Sequence, residues 1–279
     1  KHYSSLMALD ILYNMKREML RRGLSWQTVK AYLYHVHRFL LFSKDKDPSH
    51  FSKADVREYL YSLKEKGLHG SSLNVVHNAL RFMMLEVLHK GMYLKIKFSK
   101  VPKKAAEYLT KDEIKTILAA ITNEKHRLII ALMYGAGLRV GEVVSLKKED
   151  FDFHSMIGWV RQGKGNKDRP FIIPETLKEK IISLCNLPQQ FLFMGNKNTH
   201  LSIKSVQEIV KTSSKKAKIS KHIHPHTFRH SFTTHLLESG YDIVTVQSLL
   251  GHIHPETTLG YSHTIRPKLI TAKSPLDNL

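Results

Sequence analysis

His226-Thr227-Phe228-Arg229-His230 opens a run that ends at Tyr261, and the 279-residue chain is easiest to read outward from it. An amphipathic stretch follows to Gly240, then Leu249-Leu250-Gly251-His252, then Thr257-Thr258-Leu259-Gly260-Tyr261-Ser262-His263. The run sets an imidazole, a guanidinium, a second imidazole and a phenol on short helices joined by tight turns. A guanidinium is always charged and donates two parallel hydrogen bonds, which suits the oxygens of a phosphodiester. An imidazole titrates near neutrality and takes up a proton readily. A phenol, with an ordinary pKa of about 10, becomes a nucleophile once a base or neighbouring cations assist it.

Composition agrees with an anionic partner. The chain holds 44 Lys+Arg against 24 Asp+Glu, a formal charge of +20. Such an excess is a statement about partners rather than about fold, and it favours a polyanion. The single cysteine, Cys185, excludes a disulfide framework and a Cys-rich zinc site and fits a reducing cytosol. No apolar run approaches the roughly 18 residues of a membrane span, and the start does not resemble a signal peptide. The expected location is the cytoplasm, in association with the nucleoid. The chain begins at Lys1 rather than Met, so its natural start is expected to lie upstream.

Residues 1–98 read as a four-helix bundle. Leu6, Leu9, Leu12, Met15 and Met19 recur at three- and four-residue steps and stop at Gly23. Ser25 is an N-cap for a second helix with Val29, Leu33, Val36, Leu40 and Leu41. Ser52 caps a third over residues 54–66, ended by Gly67, and Ser71 or Ser72 opens a fourth with Leu73, Val76, Leu80, Met83, Met84 and Val87. The periodic Leu and Met residues are the expected core. Residues 1–105 hold 20 Lys+Arg and 8 Asp+Glu, so this part carries more than half of the net charge. Basic and aromatic residues alternate through Lys30, Tyr32, Tyr34, His35, His37 and Arg38, a face suited to DNA.

Residues 95–104 contain five lysines and Pro102 without periodicity, which marks a linker over residues 99–106. Thr110-Lys111-Asp112-Glu113 is a capping box and announces the second domain, residues 107–263. Its helices are expected over residues 112–121, 125–134, 138–146 and 203–217. Strands over 157–162 and 170–173 flank the glycine-rich tip Gly163-Lys164-Gly165-Asn166-Lys167-Asp168. The fold class is mainly α with a small β-hairpin or sheet.

Gly137-Leu138-Arg139-Val140-Gly141-Glu142 and Gly163-Lys164-Gly165-Asn166-Lys167-Asp168-Arg169 complete a pattern with His226-x-x-Arg229, Leu-Gly-His252 and Tyr261. In order and spacing it resembles the tyrosine recombinases, or phage-type integrases, and the likeness covers essentially the whole chain. Phe228 stands where Leu is commoner, one apolar residue for another. The resemblance implies a SAM-like N-terminal core-binding bundle and a mixed α/β catalytic domain. It implies that Arg139 and Arg229 clamp the scissile phosphate, that Tyr261 forms a 3′-phosphotyrosyl link, and that Lys164 protonates the leaving 5′-oxygen. His226 then takes the phenolic proton, His252 hydrogen-bonds the phosphate, and Glu142 orients these groups. No cofactor, metal or nucleotide is called for. His226 and His230 have zinc-ligand spacing, but Thr227 stands where a His-Glu-x-x-His site has its glutamate.

The implied partner is a duplex recombination site, bound by a pair of protomers and brought into a tetrameric synapse, with accessory recombination proteins also in view. Candidate DNA contacts are Lys30, Arg38, Arg81, Lys103, Lys104, Lys167 and Arg169. Residues 264–279 are expected to dock on a neighbouring protomer through Leu269, Ile270, Leu276 and Leu279, the alternative being a fold back onto their own domain. Compactness favours a Xer-like enzyme over a mobile-element integrase. A type IB topoisomerase and a non-cutting architectural DNA-binding protein are the other classes to separate.

Residues 1–105 alone should bind duplex DNA, and fluorescence anisotropy across a salt series should show affinity falling by roughly 0.9 in log K per decade of salt for each phosphate contact. Affinity indifferent to salt would remove the bundle from the DNA interface.

Overall fold

Short polar side chains write most of the helix starts. Ser25 Oγ accepts from the Thr28 amide at 3.2 Å, and Ser52 and Thr110 each form reciprocal capping boxes with Asp55 and Glu113. Each cap satisfies amides that the first helical turn leaves without partners. The computed structural model describes residues 2–43, 46–68, 70–90, 107–161, 168–195, 198–250 and 273–279, with side chains from residue 8 onward. It divides into two compact units, Lys1–Lys104 and Ala105–Leu279.

The first unit is a helical bundle: α1 (His2–Arg21), α2 (Trp26–Phe42), α3 (Lys53–Glu65) and α4 (Gly70–Phe82). The last helix widens into a π-helical turn over Met83–Val87. Ile11, Met15 and Met19 of α1 face Val29, Val36 and Phe39 of α2 and Val76, Leu80, Met83 and Met84 beyond them. Phe39 meets Phe51 and Tyr59 edge-on at centroid distances of 5.1 and 5.4 Å. Two expected core residues are on the surface: Leu9 is 61% exposed and Leu41 is 55% exposed. Leu9 lies off the four-residue line of Ile11, Met15 and Met19, and Leu41 lies off the buried line of α2. The helical period holds, but the arc that the bundle covers is narrower than that period allows.

The second unit contains α5 (Lys111–Ala119), α6 (Glu124–Gly135), α7 (Val140–Ser145), α8 (Lys178–Cys185), α9 (Ile203–Lys216), α10 (Pro225–Glu238) and α11 (Ile243–Leu250). Strands β1 (Phe151–Asp152), β2 (Ile157–Val160) and β3 (Arg169–Ile172) form an antiparallel sheet in that order, with Val160 opposite Arg169. β1 and α8 were not expected from the sequence. Every residue of α6 from Leu128 to Gly135 is buried, so this helix is the axis of the core. α10 packs along it, and Tyr134 Oη lies 2.9 Å from His235 Nδ1 inside that contact. Among the described residues no helix is long and apolar enough to cross a membrane.

The described end of the chain takes the fold-back arrangement, the alternative weighed beside docking on a neighbour. Residues 273–279 pack on their own unit, with Ser274 fully buried and Leu276 8% exposed. Ser274 Oγ donates to the Gly135 carbonyl at 2.5 Å, and Asp277 accepts from the Glu175 and Thr176 amides. Lys273 N donates to Tyr241 Oη at 2.9 Å. Apolar cover is available within the same unit, beside α6, and the fold-back satisfies the polar groups as well. Leu269 and Ile270, also assigned to that docking, lie outside the described residues.

The turn between α6 and α7 depends on Gly137, whose φ is +60° and whose Cβ, if present, would meet the Phe232 ring at 2.6 Å. Gly137→Ala should therefore lower stability by about 1–3 kcal/mol, read as a fall in thermal midpoint. Gly141→Ala is the control: the nearest atom to its added carbon is Ile203 Cδ1 at 3.9 Å, and alanine favours the helix, so no loss is expected there.

Candidate active site

Glu142, in the first turn of α7, gathers three arginines from three separate elements. Arg139, the N-cap of α7, donates its backbone N–H to Glu142 Oε2 at 2.7 Å and Nη1 to Oε1 at 2.8 Å. Arg169, at the start of β3, donates Nη2 to Oε2 at 2.5 Å. Arg229, one turn into α10, brings Nη1 to 3.7 Å from the same oxygen. The carboxylate is 8% exposed. Burial pushes its pKa up, but Arg169 and then Arg139 outweigh that and hold it below the ordinary value of 4.5.

The guanidiniums are held by more than charge. Arg229 Nη1 donates to the Gly137 carbonyl and Nη2 to the Leu250 carbonyl, both at 2.5 Å. Arg169 Nη1 donates to the Leu249 carbonyl at 2.7 Å. Leu249 and Leu250 end α11, where carbonyls have no partner within the helix. Two arginines thus pin the end of the helix that leads to residue 251, while Gly137 links Arg229 to the turn that carries Arg139.

Three guanidiniums against one carboxylate leave a positive surplus. Arg229 registers it: burial first, then Arg169 and Arg139, push its pKa down to about 9. It stays charged at neutral pH, but in a field that an arriving anion relieves. Its side chain is only 3% exposed, whereas that of Arg139 is 27% exposed. Arg229 therefore supplies the field and Arg139 the accessible donors. His226, exposed at the start of α10, titrates below the ordinary histidine value because of partial burial, then Arg229, His224, Arg139 and His230. At neutral pH its ring is unprotonated and able to accept a proton.

The structure brings Arg139, Glu142 and Arg229 together, with His226 in their field. Lys164, His252 and Tyr261 lie outside the described residues, as do the candidate DNA contacts Lys103, Lys104 and Lys167. Lys30, Arg38 and Arg81 are on the surface of the first unit. Lys30 Nζ stands 5.6 Å from the Trp26 ring, which Lys16 also approaches at 5.4 Å, and Arg38 is 6.0 Å from the Tyr34 ring. Arg169 is a correction. Expected as a DNA contact, it is 7% exposed and spends its terminal donors on Glu142 and Leu249. A basic residue after a lysine-rich tip reads as surface, and only the alternation of β3, which turns its first residue inward, signals otherwise.

Comparison with known proteins gives matches over both units. The model of the phage integrase family matches residues 107–266, and that of the phage integrase N-terminal SAM-like domain matches residues 11–92. The chain is 36% identical over 269 residues to tyrosine recombinase XerA of Pyrococcus horikoshii, covering 94% of this chain and 92% of that protein. It is 33% identical over 276 residues to tyrosine recombinase XerD of Oceanobacillus iheyensis, covering 90% and 92%. A crystal structure of XerA recombinase matches with a TM-score of 0.50 and 28% identity, covering 92% of this chain and 94% of that one. The XerH site-specific recombinase bound to its difH substrate shares the fold, with a TM-score of 0.66 and 21% identity over 89% and 79% of the two chains.

Removing the shared carboxylate leaves buried guanidiniums without their counter-ion. Glu142→Gln should cost about 3–5 kcal/mol at neutral pH, measured by denaturant unfolding. Because the folded carboxyl titrates below its unfolded value, its stabilisation is complete above pH 4.5 and is lost as pH falls through the folded value. The two proteins should converge in acid, and a constant gap down to the lowest pH would contradict the assignment.

Proposed function

The chain belongs to the phage integrase family and is a tyrosine site-specific recombinase, and we propose that it cuts duplex DNA by attack of the Tyr261 phenol on the scissile phosphate. The observation that carries this reading is the convergence of Arg139, Arg169 and Arg229 on the one buried carboxylate of Glu142, which leaves a positive surplus there. A phosphodiester resists nucleophiles because its transition state adds negative charge to non-bridging oxygens. Arg139 meets that charge with its more accessible donors, and Arg229 adds its buried positive charge to the field. His252 adds a hydrogen bond to the phosphate.

His226 takes the proton from Tyr261 as the new P–O bond forms, which gives a 3′-phosphotyrosyl link. The bond to the 5′-oxygen breaks, and Lys164 supplies the proton that this oxygen needs to leave as a hydroxyl. In the second step a 5′-hydroxyl attacks the phosphotyrosine, the phenol departs with a proton, and the strand is resealed. The covalent link conserves the free energy of the broken bond, so the cycle is balanced without a nucleotide. Its substrate is a specific recombination site, bound by a pair of protomers and exchanged within a four-protomer synapse, as in Xer-like resolution of circular DNA in the nucleoid.

Tyr261→Phe removes one oxygen and little volume, so DNA binding should persist while the covalent adduct disappears. Denaturing gels of protein incubated with labelled, nicked site DNA read this directly. A persistent adduct would move the nucleophile elsewhere, with Tyr241 the first to test.

A further inference from the structure

Arg169 takes no part in the phosphate clamp or the proton transfers assigned above, yet it touches the pieces that must be kept in register. It begins β3, opposite Val160, five residues after Lys164 in the chain. Its Nη2 reaches Glu142 Oε2, the oxygen that also accepts the Arg139 amide, and its Nη1 holds the Leu249 carbonyl three residues before His252. The residue is 7% exposed, and Nε has no partner among the described residues. An apolar side chain of similar length would fill this space without the desolvation cost of a cation. What the guanidinium adds is direction: two bonds at fixed angles between a strand end, a carboxylate and a helix end.

The outer side of the strand pair has a weaker brace. Arg161 Nη1 donates to Asp168 Oδ2 at 2.9 Å, but the two side chains are 55% and 44% exposed, where water screens the pair. The inner brace through Arg169 is therefore the firmer tie at the paired ends of β2 and β3.

We propose that Arg169 is a positioning residue for proton delivery to the leaving 5′-oxygen: it ties the root of the lysine hairpin to the carboxylate that orders the phosphate-binding arginines. The proposal rests on the reading of Lys164 as general acid. Displacing a reacting group by about 1 Å costs roughly 10²-fold in rate, and that is the expected loss when this tie is cut.

The test uses the full chain, a duplex carrying its cleavage site selected from a random pool, and the same duplex with sulfur at the bridging 5′ position. A thiolate leaves without a proton, so sulfur separates proton delivery from the clamp. Arg169→Gln should slow cleavage of the oxygen-linked DNA by roughly 10²-fold and return to within about tenfold of the parent on the sulfur-linked DNA. Arg169→Lys, which keeps the charge but not the fork, should show the same pattern more mildly. Equal losses on both substrates, or no loss, overturn the proposal. Lys164→Ala run alongside tests the premise: if sulfur does not rescue it, the general-acid reading falls. Rescue of the Arg169 variants then still keeps that residue in proton delivery, and absence of rescue removes it. Thermal melting checks that each variant folds. If Arg169→Gln does not, Arg169→Lys carries the comparison, and failure of both to fold assigns Arg169 to stability alone and overturns the proposal.

Discussion

A single buried carboxylate sets the geometry of the second unit. Glu142 accepts from the Arg139 amide and side chain and from Arg169, and it balances part of the charge of Arg229. Ion pairs in a protein interior are seldom the cheapest way to gain stability, since desolvation cancels much of the attraction. Their use here is positional. The three guanidiniums repel one another, and only a shared anion lets them converge. Because one anion faces the three cations it gathers, the cluster is held together and still attracts a second anion, which is the condition a phosphate site needs.

The fold around this cluster is a support for it. α6 is buried on every side from Leu128 onward, and α10 lies along it, so the start of α10 cannot drift relative to the turn after α6. Gly137 makes that turn tight enough for its carbonyl to meet Arg229. The C-terminal turn closes over the same helix at Gly135. Backbone carbonyls of Gly137, Leu249 and Leu250 serve as the acceptors that orient the arginines, so the positions of these side chains depend on backbone placement as much as on neighbouring side chains.

Much of this arrangement is legible in the sequence alone. The capping boxes at Ser52 and Thr110 depend on residues three apart, and spacing alone reveals them. Arg139, Glu142 and Arg229 were legible because their motifs come in a fixed order. What escaped depends on tertiary packing. Beyond the alternation of β3, nothing local marks Arg169 as buried, since its partners lie 27 and 80 residues away in the chain. Leu9 and Leu41 fit the helical period, but the bundle covers a narrower arc than the period allows. α8, with a brief apolar pattern, and the two-residue β1 offer too little signal to be read alone. Leu276 and Leu279 announced a need for cover, while the choice of their own α6 as the covering surface is a property of the folded unit.

The two tryptophans of the chain fall one to each unit, and both stand beside cations. Trp26, 50% exposed, lies within reach of Lys16 and Lys30, and the half-buried Trp159 has the Arg161 guanidinium 5.5 Å from its ring. Indole emission responds to nearby charge and to water, so each unit carries an intrinsic optical reporter next to a basic side chain. With one tryptophan replaced by phenylalanine at a time, the response of each unit to added DNA can be followed as a separate signal. No dye needs to be attached, and the order in which the two halves engage their substrate becomes a matter of comparing two fluorescence traces.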